Sequence, residues 1–246
     1  MPQPGLVLVH GACHGADCWD PTVAELSRLA PELKVLAVDL PGRRGKPGEL
    51  AGARIDDFAD SVAADVADAG LDDVVLVGHS MAGVTLPGVA TRLGPARVRE
   101  LVFAAAFVPP DGQCVIDLVP GVIGWYGRRN KHKRPAGSLP AALAKFAFCN
   151  GMTPEQRGFT AGRWYPESAS VPLENVDRRD MPSEIHRTWI LTLRDRALSV
   201  KSQRASIDAL GGVQTVIELD TCHNLMISEP TRLAEILVER CRRYDR

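Results

Sequence analysis

Six short apolar runs punctuate the chain: Leu6–Val9, Val35–Val38, Val74–Val77, Leu101–Ala104, Thr188–Leu193 and Val213–Leu219. Each is rich in Val, Leu and Ile and too short for a buried helix, so each predicts a strand covered on both faces. Between them the apolar period lengthens to three and four residues. Asp20–Leu29 reads as a helix with Pro21 in its tolerant first turn. Ile55–Ala69 places Ile55, Phe58, Val62 and Val66 on one face and stops at Gly70. Val84–Leu93, Val200–Leu210 and Thr231–Tyr244 complete the helical set. Strand alternating with helix predicts an α/β protein with about six mostly parallel strands flanked by helices. The alternation fails from Asp111 to His186. That stretch reads as a helical cap inserted at the C-terminal edge of the strands, dividing the chain into a core, 1–110 with 187–246, and a cap, 111–186.

A chain of 246 residues, 45% hydrophobic and 24% charged, suits one soluble globular domain. The net charge of −1 gives no general attraction to nucleic acid or membrane. No apolar run approaches the ~20 residues that span a bilayer, and the opening residues lack a leader's charged and apolar regions. Six cysteines without framework spacing point to reduced thiols and a cytoplasmic setting. The sequence leaves a homodimer open. The run Arg128–Arg134 is the one strong charge cluster and reads as a solvated loop.

The chemistry gathers where predicted strands end. Gly78-His79-Ser80-Met81-Ala82-Gly83 follows a strand and precedes a helix, the setting of a nucleophile elbow. There a tight turn between small residues lifts a serine hydroxyl from the sheet edge. Ala82 stands where glycine is usual. Serine needs an imidazole to accept its proton and a carboxylate to fix that imidazole. His223, one short loop past the last strand, is the candidate base. Asp195, at the end of the strand before it, is the candidate acid, with Asp220 a rival on the histidine's own loop. The first strand exits into His10-Gly11-Ala12-Cys13-His14-Gly15, so the main-chain N–H groups of Ala12 and Met81 are the expected oxyanion donors. His14 and Trp19, with Trp125 and Phe148 in the insertion, are the candidate substrate contacts. His79 and Cys222 read as packing. His10, Cys13, His14, Asp17 and Cys18 fit no zinc spacing, and neither a phosphate loop nor a dinucleotide fingerprint is present, so no metal and no cofactor are expected.

The chain resembles the α/β-hydrolase-fold serine esterases, and within them the plant methylesterase and hydroxynitrile lyase group and its bacterial relatives. Leu8–Ala16, Cys18-Trp19, Val38–Gly42, Val77–Gly83 and Ala105–Pro109 carry the likeness, over Leu6 to about Phe107 and from about Arg187 onward. The resemblance implies a cofactor-free serine hydrolase that cleaves carboxylic esters of small, largely apolar molecules through an acyl-enzyme. The resembling lyases carry threonine after the first motif histidine and lysine after the catalytic one. Here those places hold Gly11 and Asn224, which favours an esterase. A lyase or carbon–carbon bond hydrolase is the alternative, with a small-molecule receptor that retains the triad further behind. Ser80 argues against the dehalogenases of this fold, whose nucleophile is aspartate.

Overall fold

A computed structural model describes residues 3–119, 129, 136–137 and 141–245. Six parallel strands form one sheet in the order β2-β1-β3-β4-β7-β8. They are β1 (Gly5–Val9), β2 (Val35–Val38), β3 (Val74–His79), β4 (Val98–Ala104), β7 (His186–Thr192) and β8 (Thr215–Leu219). The helices are α1 (Asp20–Leu29), α2 (Ile55–Asp68), α3 (Leu86–Leu93), α4 (Ala141–Phe148), α5 (Pro154–Ala161), α6 (Val200–Ala209), α7 (Leu225–Ser228) and α8 (Pro230–Arg242). β5 (Ala136–Gly137) and β6 (Glu167–Ser168) form a separate antiparallel pair.

The two-residue period of the strands divides the core into two layers. Val7, Val9, Leu76, Leu101, Phe103, Trp189 and Leu191 pack under Phe58, Val62 and Val66 of α2 and Leu86 and Val89 of α3. Leu6, Leu8, Val75, Val77, Val102 and Ile190 face the other way, onto Trp19, Leu26 of α1 and Leu233 and Leu237 of α8. Each large side chain buried in this way stabilises the fold by about 1.5–3 kcal/mol. The interior strands β1 and β3 are buried throughout, while the edge strand β8 alternates between partly covered and exposed positions before ending on the buried Leu219.

Three expectations change in detail. β4 starts at Val98, ahead of the apolar run, because Glu100 is buried there against Arg240 and Thr188. The elbow leads first into a 3-10 turn, Ser80–Val84, and α3 begins at Leu86 with Pro87 in its first turn. The insertion carries α4 and α5, but it also carries the β5–β6 pair, whose two-residue strands are too short to leave a period in the sequence. Among the described residues, no helix is long and apolar enough to cross a membrane.

Candidate active site

The chain reaches the sheet edge at Ser80 in left-handed backbone, φ 54°. A non-glycine residue held there costs about 1–3 kcal/mol and persists only where its surroundings over-determine it. The surroundings are tight. A Cβ on Gly78 would lie 2.7 Å from Leu86 Cγ, and one on Gly83 would lie 2.5 Å from the Phe107 carbonyl oxygen. The Phe107 amide donates to the Ser80 carbonyl at 2.9 Å. The close approach thus falls on Gly83, and the buried methyl of Ala82 is accommodated beside it.

Two further loops bring their groups to this point. His223 Nε2 lies 2.8 Å from Ser80 Oγ, and His223 Nδ1 lies 2.7 Å from Asp195 Oδ2. With the Nδ1 proton turned toward Asp195, Nε2 is left to accept from the serine hydroxyl. Asp195 Oδ2 also accepts from Thr192 Oγ1 at 2.9 Å. Its Oδ1 accepts from the amides of Ala197 and Leu198 at 2.8 and 2.7 Å. Asp220 lies outside this group, exposed and paired with Arg194 at 2.9 Å.

The loop after β1 presses on the elbow. A Cβ on Gly11 would stand 2.7 Å from Ser80 Cβ and 3.0 Å from the His79 carbonyl oxygen, so a side chain there has no room. His10 accepts from the Leu40 amide at 3.1 Å through Nε2 and donates from Nδ1 to the Gly11 carbonyl at 2.8 Å. His14 donates from Nδ1 to the Ala12 carbonyl at 2.8 Å, which leaves its Nε2 to accept from Asn224 Nδ2 at 3.2 Å. Cys13, between them, also has positive φ, 60°. Burial pushes the imidazoles of His10 and His79 well below the usual histidine range and that of His14 down to about 4. All three are therefore neutral at pH 7.

His79 does more than pack. Its Nε2 donates to the His223 carbonyl at 3.0 Å, and the two rings lie 4.9 Å apart. Trp19 is wholly buried in the core, edge-on to His79. Phe148 does face the site, with its ring centroid 5.1 Å from that of His223. Trp164 joins it, 5.6 Å from Phe148 and 5.1 Å from His14. Trp125 lies outside the described residues, as does the basic run except for the exposed Arg129. Among the described residues no group of His, Cys, Asp or Glu is placed to hold a metal ion. Sequence reasoning missed Arg43 and Glu167, which meet in a buried ion pair beside the β1 loop. Neither stands in a motif or a periodic segment.

A strained serine on a strand-to-helix turn, facing a histidine and an aspartate from later strand ends, defines a hydrolase of the α/β class. The family model for the alpha/beta hydrolase family matches residues 6–236, and the chain belongs to that family. It is 29% identical to methylesterase 7 of Arabidopsis thaliana over 98% of both chains, and 33% identical to methylesterase 9 of the same plant over 97% of this chain and 98% of that one. Among solved structures it is similar to an extracellular α/β-hydrolase from a Paenibacillus species that shares structural and functional homology with tobacco salicylic acid-binding protein 2. The TM-score is 0.82 at 25% identity, covering 96% of this chain and 98% of that one.

Proposed function

We propose that this carboxylic ester hydrolase works through a covalent acyl-enzyme on Ser80. The observation that carries the reading is the continuous hydrogen-bonded line from Asp195 through His223 to Ser80 Oγ, ending on a strained residue at the sheet edge. As Ser80 Oγ attacks the ester carbonyl, His223 Nε2 takes the hydroxyl proton and Asp195 stabilises the resulting imidazolium. The tetrahedral oxyanion is held by the amides of Ala12 and Met81. Collapse expels the alcohol, protonated by His223. Water deprotonated by the same imidazole then attacks the acyl-serine, and the acid leaves as Ser80 recovers its proton. Every step uses groups of this chain, with no cofactor.

The insertion, 111–186, acts as a cap over these groups. Phe148 and Trp164 give the substrate an aromatic wall, which supports a small and largely apolar ester. Lyase chemistry is disfavoured by the crowding at Gly11, where a hydroxyl-bearing side chain cannot enter. It is also disfavoured by Asn224, a buried neutral amide in hydrogen-bond contact with His14.

The test is a fluorophosphonate probe with a panel of aryl and methyl esters. Wild type should label covalently and turn over esters. Ser80→Ala should abolish labelling and cut turnover by about 10⁴-fold or more while the fold persists. Labelling that survives in Ser80→Ala would place the nucleophile elsewhere.

A further inference from the structure

Resting on the acyl-enzyme reading, we propose that Glu167, together with Arg43, is a positioning residue for the oxyanion site, reaching from the insertion to clamp the loop that presents the Ala12 amide. The loop's peptides are tied one after another. The Gly11–Ala12 peptide, which carries the donor N–H, is anchored through its carbonyl by His10 Nδ1 at 2.8 Å. The next peptide is held at both ends: His14 Nδ1 donates to the Ala12 carbonyl at 2.8 Å, and the Cys13 amide donates to Glu167 Oε2 at 2.9 Å. The Cys13 carbonyl then accepts from the Tyr165 amide at 2.9 Å, also in the insertion. Arg43 closes the ring, donating from Nε to the His14 carbonyl at 2.8 Å and from Nη2 to Glu167 Oε2.

Two features make this more than ordinary loop packing. The clamped residue, Cys13, sits at φ 60°, a conformation that a β-carbon resists and that needs outside restraint. The restraint is a buried ion pair, with the Arg43 side chain 0% and the Glu167 side chain 7% exposed. Burying two charges is costly, and such pairs bring a unique geometry more reliably than they bring net stability. Glu167 Oε1 also accepts from the Ser168 amide at 2.8 Å, so both carboxylate oxygens are engaged.

The experiment uses Glu167→Gln and Arg43→Lys in the full chain. Glu167→Gln keeps the shape and loses the charge. Arg43→Lys keeps the charge, but a single ammonium cannot reproduce the forked contact with both acceptors. The readouts are kcat and KM on an aryl ester, affinity for a trifluoromethyl ketone that forms a tetrahedral oxyanion on serine, and amide hydrogen exchange over residues 10–16. A donor amide misplaced by a fraction of an ångström to an ångström should lower kcat by about 10–100-fold. KM should stay within about twofold, ketone affinity should fall by the factor lost in kcat, and exchange over residues 10–16 should accelerate. Arg43→Lys should give a smaller loss in the same pattern. The proposal is overturned if folded Glu167→Gln retains wild-type kcat, if its loss appears in KM alone, or if exchange in the loop is unchanged. Failure of wild type to label or turn over esters would strike the acyl-enzyme reading instead, and the exchange comparison would still decide whether the clamp exists.

Discussion

At the scale of single residues, two carboxylates, one bonded to His223 and one near it in sequence, have very different fates. Asp195 is enclosed by Thr192, Ala197, Leu198 and His223, while Asp220 stands in solvent beside Arg194. Asp195→Asn should lower kcat by about 10³–10⁴-fold, because an amide stabilises the wrong imidazole tautomer, whereas Asp220→Asn should leave kcat within about twofold, since an exposed pair contributes little. Steady-state kinetics on one aryl ester checks both, and the reverse order would move the acid to Asp220. His14 makes a second prediction. Its folded pKa lies near 4, below the 6.5 of an unfolded histidine, so between these values the unfolded chain binds the proton that the folded one refuses. Stability is then full above about pH 6.5 and falls as pH drops toward 4, by about 3 kcal/mol for this group. His10 and His79 add in the same direction. Urea midpoints from pH 7 to 4 should show the decline, and His14→Gln should make it shallower by the share of this group while His10 and His79 keep theirs. The meeting of Ser80, Asp195 and His223 was legible because each follows an apolar strand by a few residues, and the sheet delivers strand ends to one edge. Arg43 and Glu167 were not legible, because their meeting depends on tertiary contact across 124 positions. His79 was read only in part, since its bond to a main-chain carbonyl leaves no mark in sequence.

At the scale of elements, the strands and helices were readable wherever burial selects apolar residues, and the start of β4 slipped because a charge is buried there with a partner. Glu100 is the case in point. It sits at 0% exposure inside β4, receives Thr188 Oγ1 at 2.6 Å and Tyr244 Oη at 2.8 Å, and pairs with Arg240 of α8 at 2.9 Å. A carboxylate in a strand looks like a loop until its partner, far along the chain, is known. This network pins the last helix to the middle of the sheet. Glu100→Ala should therefore destabilise by about 3–5 kcal/mol, since it strands the guanidinium of Arg240. Ester turnover per folded molecule should hold, because the network lies at the opposite end of β4 from Ala104, which pairs with His79 beside Ser80. Chemical denaturation followed by activity at low temperature separates the two effects. Wild-type stability in Glu100→Ala would show that the network contributes nothing to holding α8.

At the scale of the whole molecule, residues from the inserted stretch meet the groups at the sheet edge: Phe148 lies against His223 and Trp164 against His14. Between α4 and α5 lies a cleft of about 460 Å³ lined by Ala144, Lys145, Cys149, Arg157, Thr160 and Trp164 among others, and Trp164 also meets His14. Phe148→Ala and Trp164→Ala should reorder kcat/KM across esters of increasing size by about tenfold, the scale of a few methylenes gained or lost in an apolar pocket. The smallest acetate should change least. An unchanged order would mean that these rings only pack the insertion. The fold class was legible from alternation alone; the contents of the insertion were not, because its short elements pack by shape more than by period. The bonds from Tyr165 and Glu167 to Cys13 carry a consequence for engineering. Lids are commonly treated as interchangeable parts, to be grafted between relatives to change substrate range. Here such a graft would cut the bonds that tie Cys13 to Tyr165 and Glu167. A transplanted lid lacking an acid at the place of Glu167 should yield a chimera that folds and binds esters yet turns them over slowly, and restoring that one residue together with Arg43 is the repair to attempt first.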